Sequence, residues 1–594
     1  MNLWYSLDFE TSTVNKYSCD IDRVCVAEFD INTGRTQQVC DFQFRSASGI
    51  EMLDPDLAIL KQLMGNSFPK VAHNLDFDLY LMEERLKIKV NGDLHDTFMM
   101  AKHWRNDLPS YSLKNLSWYI FGDTYQPLLK LKEWFHHRKI KMGDEEIDDF
   151  DMTKPPNKLV SDYCKHDVIM TTKLAAYFYP FVKDNYAWQQ DEECIPYNMK
   201  LQSAGFYVDK PFFKRMLRLC KRRMKRNKSQ ALDKMEITDG KSPTGNALKE
   251  HLVNLGEARR TKTGMVQADA IVLRDWKDDD VIKVINRVKD DTTIQKYSRA
   301  ILEVCGDRDF FYPGLQQSAA ITRRYKGRNF YSPDGPVVKG QTQNFPRGIG
   351  IRTGCIVPPD YWFEKLDLAS IEARMGAHAM SVFLDEDWFS GQYRKSDKFN
   401  IYIHVGTECT GEIIKKGMNI YDAYKHGILG KQYGVGIKTL HKTLHDKFNL
   451  PYTIADVTEI YRTIDKKFPI FRKLQRAVGN LVEAKGFVYN DYGSAIYVPK
   501  NERYKGVNYY CQTTAGDVMK HWWTYLQPEV DKTDDFIFNT VHDEFDTAIN
   551  KAGGKRVAKK RVKGYCDLTR QIDIFSLPII AEPSGLYANW GEAG

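Results

Sequence analysis

Several acids of this chain sit where acids are least expected, at the ends of otherwise apolar segments. Asp8 and Glu10 close the run that starts at Trp4, Asp367 stands near the end of Trp362 to Leu368, and Asp543 lies between the apolar runs around Phe538 and Ile549. Residues two apart on a strand point to the same side, so Asp8 and Glu10 share a face. Tyr163 and Asp167, four apart in Tyr163-Cys164-Lys165-His166-Asp167, are neighbours on one face of a predicted helix. Between these motifs comes Asn74-Leu75-Asp76-Phe77-Asp78. An isolated Asp-x-Glu carries little information; its order and context among the other motifs give it weight. Carboxylates converging from such motifs on one pocket repel one another unless cations bind between them. Hard oxygen ligands suit Mg2+ or Mn2+, and two such ions can activate a water, hold a phosphodiester and stabilise a departing 3′-oxygen. The chemistry expected here is phosphodiester hydrolysis.

A second set of acids lies further along. Asp367, in Asp367-Leu368-Ala369-Ser370-Ile371-Glu372-Ala373-Arg374, and Asp543, in Val541-His542-Asp543-Glu544, are each compatible with a cap or turn role when taken singly. Between them Lys425, Leu429 and Tyr433-Gly434 recur at helical spacing, setting a cation and an aromatic ring on one face about two turns apart. Such a face can hold a triphosphate at one end and a base at the other. Phosphoryl transfer needs little more than metals on carboxylates, an in-line 3′-hydroxyl and cations on the leaving pyrophosphate.

The 594 residues suggest about three or four domains. With 42% hydrophobic and 28% charged residues the chain can bury large cores. Acids as early as Asp8 exclude a secretory signal, and no apolar stretch approaches the roughly 20 residues of a membrane span, so a soluble intracellular protein with no membrane partner is expected. Eleven scattered cysteines without a C-x-x-C pair exclude a disulfide framework and a structural zinc site. The first ~185 residues read as α/β, with strands at Trp4 to Phe9, Cys25 to Phe29, Val39 to Phe44 and Val71 to His73 and a helix at Phe77 to Leu86. From Pro211 the pattern turns helical to about Val304, a Gly/Pro-rich stretch spans Gly306 to Arg352, and a long helical region reaches about Phe448. Lys210 to Lys228 holds ten Lys or Arg and no acid, and Lys551 to Lys563 holds seven. Phe213, Leu217, Cys220 and Met224 form one apolar stripe in the first run, so its cationic outer face can lie along a duplex backbone.

The motifs at Asp8, Asn74 and Tyr163 resemble the three exonuclease motifs of DEDDy-type 3′→5′ exonucleases on a ribonuclease-H-like fold. The resemblance implies metal ligation by Asp8, Glu10, Asp78 and Asp167, and a Tyr163 that positions the attacking water. The segments Asp367 to Arg374, Lys425 to Gly434 and Val541 to Glu544 resemble motifs A, B and C of family-A DNA polymerases, the DNA polymerase I (Klenow-like) family. Gly327-Arg328, Gln343 to Arg347 and the Asn508, Gln512, Ala515, Asp517, Lys520 series resemble further segments of that family in order. This implies an α/β multidomain protein, with an exonuclease domain over 1–187 and a right-hand polymerase domain over 188–594. The thumb falls at about 200–310, the palm at about 311–384 and 480–594, and the fingers at about 385–479. Asp367 and Asp543 would ligate two metals in the polymerase site, as the DEDD acids would in the exonuclease site. Lys425 would bind the triphosphate and could protonate the leaving group. Tyr433 would stack near the templating pair and Glu372 would exclude a ribose 2′-hydroxyl. Arg328, Gln512 and His542 would contact the primer terminus or minor groove. The implied partners are primer-template DNA, dNTPs and a single-stranded 3′ end in the exonuclease site.

Departures from the family pattern are informative. Tyr421 stands where an arginine for the triphosphate is usual, Leu429 where Phe or Tyr is usual, and Ser494 and Ala495 where arginines often touch the duplex. Leucine has no hydroxyl to replace the missing 3′-hydroxyl of a chain terminator, so discrimination against dideoxynucleotides is expected. An exonuclease motif this early leaves no room for a preceding 5′-nuclease domain, a layout that resembles bacteriophage replicative polymerases and would place the protein in the host cytoplasm. Residues 200–310 show no extra block of the kind that recruits a processivity factor in some phage relatives, so neither that partner nor a replisome helicase has support in the sequence. The alternatives are a repair polymerase and a polymerase-derived exonuclease.

Overall fold

Apolar residues occupy both faces of β1 (Leu3–Thr11), the pattern of a strand covered on two sides. The computed structural model, which describes residues 2–44, 54–141, 151–236, 246–256, 260, 264–267, 279–448 and 450–593, buries it in the middle of a sheet. That sheet runs β3-β2-β1-β4-β5, with β2 at Ile21–Asp30, β3 at Thr36–Gln43, β4 at Lys70–Ala72 and β5 at Leu94–Asp96. β1 is antiparallel to β2 and parallel to β4. The helix Asn157–Val182 packs across β1 and β2. Ser6 Oγ donates to the Val168 carbonyl (3.2 Å) and Cys164 Sγ to the Asp8 carbonyl (3.4 Å), which fixes Tyr163 and Asp167 over the acidic end of β1.

Met1 and the segments 237–245, 257–259, 261–263 and 268–278 of the expected thumb lie outside the described residues. The basic run is the helix Lys210–Lys234, started by the Asp209 carboxylate accepting from Phe212 N. Its stripe of Phe213, Leu217, Cys220 and Met224 is buried or half-buried, and it packs along the helix Asp280–Cys305. The Gly/Pro-rich stretch after Gly306 carries strands. β7 (Phe310–Gln316) joins β6 (Phe206–Tyr207), β8 (Lys326–Tyr331) and β9 (Val338–Lys339) in the order β6-β7-β8-β9. A register shift between Pro313 and Leu315 accommodates the proline, which cannot donate to a ladder.

The helical region before Phe448 is several helices, among them Asn419–Gln432 and Ile437–Phe448. A further sheet has the order β13-β14-β10-β15, from β10 (Tyr361–Leu368), β13 (Phe536–Val541), β14 (Glu544–Asn550) and β15 (Ala581–Pro583). The hairpin β11 (Phe487–Tyr489) and β12 (Ala495–Tyr497) stands apart.

A buried network of charges joins the first sheet's half to the rest. Asp191, Asp517, Arg323 and Lys520 are each 1% exposed or less. Asp191 accepts from Lys520 Nζ (2.8 Å), Ser318 Oγ (2.6 Å), Gln317 Nε2 (2.9 Å) and His103 Nε2 (2.6 Å). Asp517 accepts from Arg323 Nη2 (2.6 Å), Asn490 Nδ2 (2.7 Å) and Lys520 Nζ (3.2 Å). Burial opposes ionisation of both acids, yet the surrounding cations, Lys520 first for Asp191 and Arg323 first for Asp517, hold them below the usual carboxylate range. Removing one member of such a network leaves its partners charged and unpaired, at a cost of about 3–5 kcal/mol. Lys520→Met is therefore expected to lower unfolding free energy by roughly that amount in denaturant titration; a wild-type midpoint in that variant would contradict this account.

Two candidate active sites

The first site lies at the end of β1. Asp8, Glu10, Asp78 and Tyr163 line a cleft of about 770 Å³, and Asp167 stands beside them. Candidate ligand atoms of Asp8, Glu10 and Cys164 lie within 4.8 Å of one another. Phe9 N donates to Asp78 Oδ1 (3.0 Å), tying the second motif to the first. Burial and then mutual repulsion push protonation of these acids upward: Asp8 is raised well above the usual range by burial, Asp167 and Asp78, and Glu10 by burial, Asp8 and Asp167. Asp78 is raised chiefly by burial. Tyr163 is raised by burial and then by Asp167, Glu10 and Asp8, so its hydroxyl stays protonated among the carboxylates. Asp167 Oδ1 is buried without a hydrogen-bond partner. Crowded carboxylates with an orphaned oxygen are a donor set that fits hard divalent cations.

Lys114 was not singled out in the sequence. Its Nζ pairs with Asp167 Oδ2 at 2.9 Å and lies 4.9 Å from the centre of the Tyr163 ring. It also favours the charged forms of Asp8 and Glu10. It is carried by the helix Leu113–Phe121, which Ser112 caps by accepting from Asn115 N. A lone lysine between two motifs has no sequence signature; only the packing of that helix against Asn157–Val182 brings it here.

The second site is built on β10 and the β13–β14 hairpin. Asp367 pairs in register with Glu544, and Leu368 N donates to the Asp543 carbonyl (3.0 Å). His542 makes the turn with φ of 61°, the left-handed region that is uncommon for a residue with a side chain. Asp367 is raised to about 7 by burial and then by Asp543 and Glu544, and Asp543 is raised chiefly by burial. Glu544 Oε1 is buried without a partner, while Lys365 Nζ lies 3.5 Å from Oε2. The carboxylates of Asp367 and Asp543 are close enough to act on one another and are of the oxygen-donor type that suits hard divalent cations. Glu372 begins the helix Ile371–Leu384, and Tyr433 caps the helix Asn419–Gln432. The Tyr433 hydroxyl is buried without a partner, and its ionisation is opposed by burial and then by Glu372. Lys425 and Leu429 are half-buried on the preceding turns of that helix, and Gln512 is half-buried on the helix Gly506–Val530. Gly434 follows with φ of +70°, and a Cβ there would meet Gln475 Nε2 at 2.2 Å, so the turn after Tyr433 requires glycine.

Arg328 is not gathered with Glu372, His542 and Asp543; it lines the first cleft. Arg324 lies beside the second site, with Nη2 3.5 Å from Glu372 Oε1 and its charge acting on His542 and Asp543. The sequence offers Arg323-Arg324 and Gly327-Arg328 within a few residues. The pairing of Leu315 with Gly327 and of Gln316 with Lys326 in β7–β8 decides between them. Tyr421 is buried, donating no charge to the site, with its hydroxyl 3.5 Å from Asn400 Nδ2. Ser494 is fully buried and exchanges hydrogen bonds with Asn185 (3.1 Å), so it holds the two halves together and does not face a duplex. Among the described residues no helix is long and apolar enough to cross a membrane, and the cysteines are free.

In metal-free buffer Lys114 opposes the repulsion of the first cluster, so Lys114→Met is expected to melt below wild type in EDTA. Excess Mg2+ or Mn2+ should close the gap; a gap unchanged by metal would refute this role for the lysine.

Residues 6–183 match the family model described as 3'-5' exonuclease, that of DNA polymerase A. No curated protein sequence matches the chain. Among solved structures, the POL domain of Pol1 from M. smegmatis, in complex with DNA primer-template and dNTP, is similar with a TM-score of 0.74. The match covers 100% of this chain and 96% of that one at 14% identity, a likeness of fold. The chain thus combines a 3′-5′ exonuclease domain with the fold of a family-A polymerase.

Proposed function

We propose that this chain is a template-directed DNA polymerase that extends a primer 3′-hydroxyl with dNTPs and trims 3′ ends in a DEDDy-type proofreading site, in replication of a phage genome. The observation that carries the reading is the presence of two separate groups of neighbouring carboxylates, Asp8, Glu10 and Asp78 in one cleft and Asp367 and Asp543 at the ends of paired strands. The exonuclease match and the polymerase fold support the assignment of one site to each reaction.

Mg2+ bound in pairs, with Mn2+ able to replace it, supplies Lewis-acid polarisation of phosphate and lowers the pKa of the attacking oxygen. Asp8, Glu10, Asp78 and Asp167 would hold the pair in the first site, and Asp367 and Asp543 in the second. In trimming, the protonated Tyr163 hydroxyl orients the attacking water beside the 3′-terminal phosphodiester. In synthesis, Lys425 binds the triphosphate and can give a proton to the leaving pyrophosphate. Tyr433 stacks near the templating pair, while Gln512 and His542 contact the primer end. Glu372, steadied by Arg324, fills the space of a 2′-hydroxyl. The Lys210–Lys234 helix carries the duplex backbone on its exposed cationic face.

Primer extension separates the two activities. Asp543→Ala is expected to abolish dNTP incorporation, whereas Asp8→Ala with Glu10→Ala should keep it and lose 3′ degradation; rNTPs should be poor substrates for the wild type. Retained synthesis in Asp543→Ala would sink the polymerase assignment. Leu429→Tyr is expected to relax discrimination against dideoxynucleotides, read as chain termination at equal dNTP and ddNTP; efficient termination by the wild type would contradict it.

A further inference from the structure

We infer that Arg328 belongs to the exonuclease site, where it holds a backbone phosphate of the single-stranded 3′ end; this rests on the exonuclease reading above. The cleft has walls from both halves of the chain: Asp8, Glu10 and Asp78 on one side, and Gln316, Arg328 and Tyr331 of β7–β8 on the other. Its volume of about 770 Å³ lies within the roughly 300–1,000 Å³ of sites that enclose organic ligands.

Arg328 is exposed on the cleft wall and has no hydrogen-bond or ion-pair partner among the described residues. The groups that face it leave its charge uncommitted. Asp76 is already paired with Lys16 at 2.6 Å. His73, half-buried, is already engaged by Thr97 Oγ1 (2.9 Å) and the Tyr111 carbonyl (2.9 Å). An unpaired guanidinium beside a cluster of phosphodiester-cleaving acids suits a phosphate, which it can grip with two parallel N–H donors.

The wall is also held in place. The Tyr17 ring stacks on Tyr312 of β7 at 4.0 Å with planes 8° apart. Asn15 Nδ2 donates to the Ser332 carbonyl (3.0 Å), Gln316 Nε2 to Asn74 Oδ1 (2.7 Å) and Gln202 Nε2 to the Leu315 carbonyl (2.9 Å). The Tyr17, Asn15 and Asn74 contacts hold β7 and the residue after β8 against the exonuclease half, so the strand enters a groove whose walls are already joined.

The test uses the full chain. In the Asp8→Ala, Glu10→Ala background, which cannot cleave, Arg328→Ala should weaken binding of single-stranded DNA about tenfold, equivalent to about 1.4 kcal/mol. The slope of log affinity against log salt should shrink by about 0.7. In the cleaving protein Arg328→Ala should raise KM for single-stranded DNA far more than it lowers kcat, and Arg328→Lys should recover part of the loss. Degradation by the wild type with unchanged affinity and KM in Arg328→Ala would overturn this inference alone. So would loss of matched-primer extension with intact degradation, which would return the arginine to the polymerase site. Absence of 3′ degradation by the wild type would overturn the exonuclease reading and this inference with it.

Discussion

The architecture depends on a few charges that water never reaches. Lys520 sits between Asp191 and Asp517, and Arg323 and His103 complete the network. Its members come from the exonuclease half, the connecting helix Tyr186–Glu193, the loop after β7 and the long helix Gly506–Val530. Solvent cannot substitute for any of these partners, so separating the halves would leave buried charges unpaired. The arrangement positions the loop 317–325, and with it both flanks of that loop.

Charge also organises the two sites, in different ways. The first gathers its acids from strand ends and a covering helix, and carries an internal cation in Lys114. The second sets Asp367 and Asp543 on neighbouring strands and surrounds them with Arg324 and Lys365. In both, burial raises the cost of ionisation and adjacent acids raise it further, which creates a demand that only cations can meet.

Much of this was legible in the sequence because it follows from local spacing. Asp8 and Glu10 share a face by strand alternation, Tyr163 and Asp167 by helical recurrence, and the stripe from Phe213 to Met224 faces its partner helix as its period requires. What was not legible depends on long-range pairing. The Gly/Pro-rich composition after Gly306 does not announce β7, where a register shift absorbs Pro313 and Gly314 within the strand. Arg324 and Arg328 cannot be told apart until the register of β8 is known. Ser494 looked like a surface position that had lost a basic residue, but the β11–β12 hairpin turns it inward against Asn185. Lys114 enters its site only through the docking of a short helix.

The loop between β7 and β8 has a consequence for how the two reactions evolve. Arg324 reaches one site and Arg328 the other, and four residues of chain span at most about 14 Å. The two arginines therefore hang from one short stretch of chain whose course is set by the β7–β8 register. An insertion or deletion there would slip the register of β8 and displace both side chains at once.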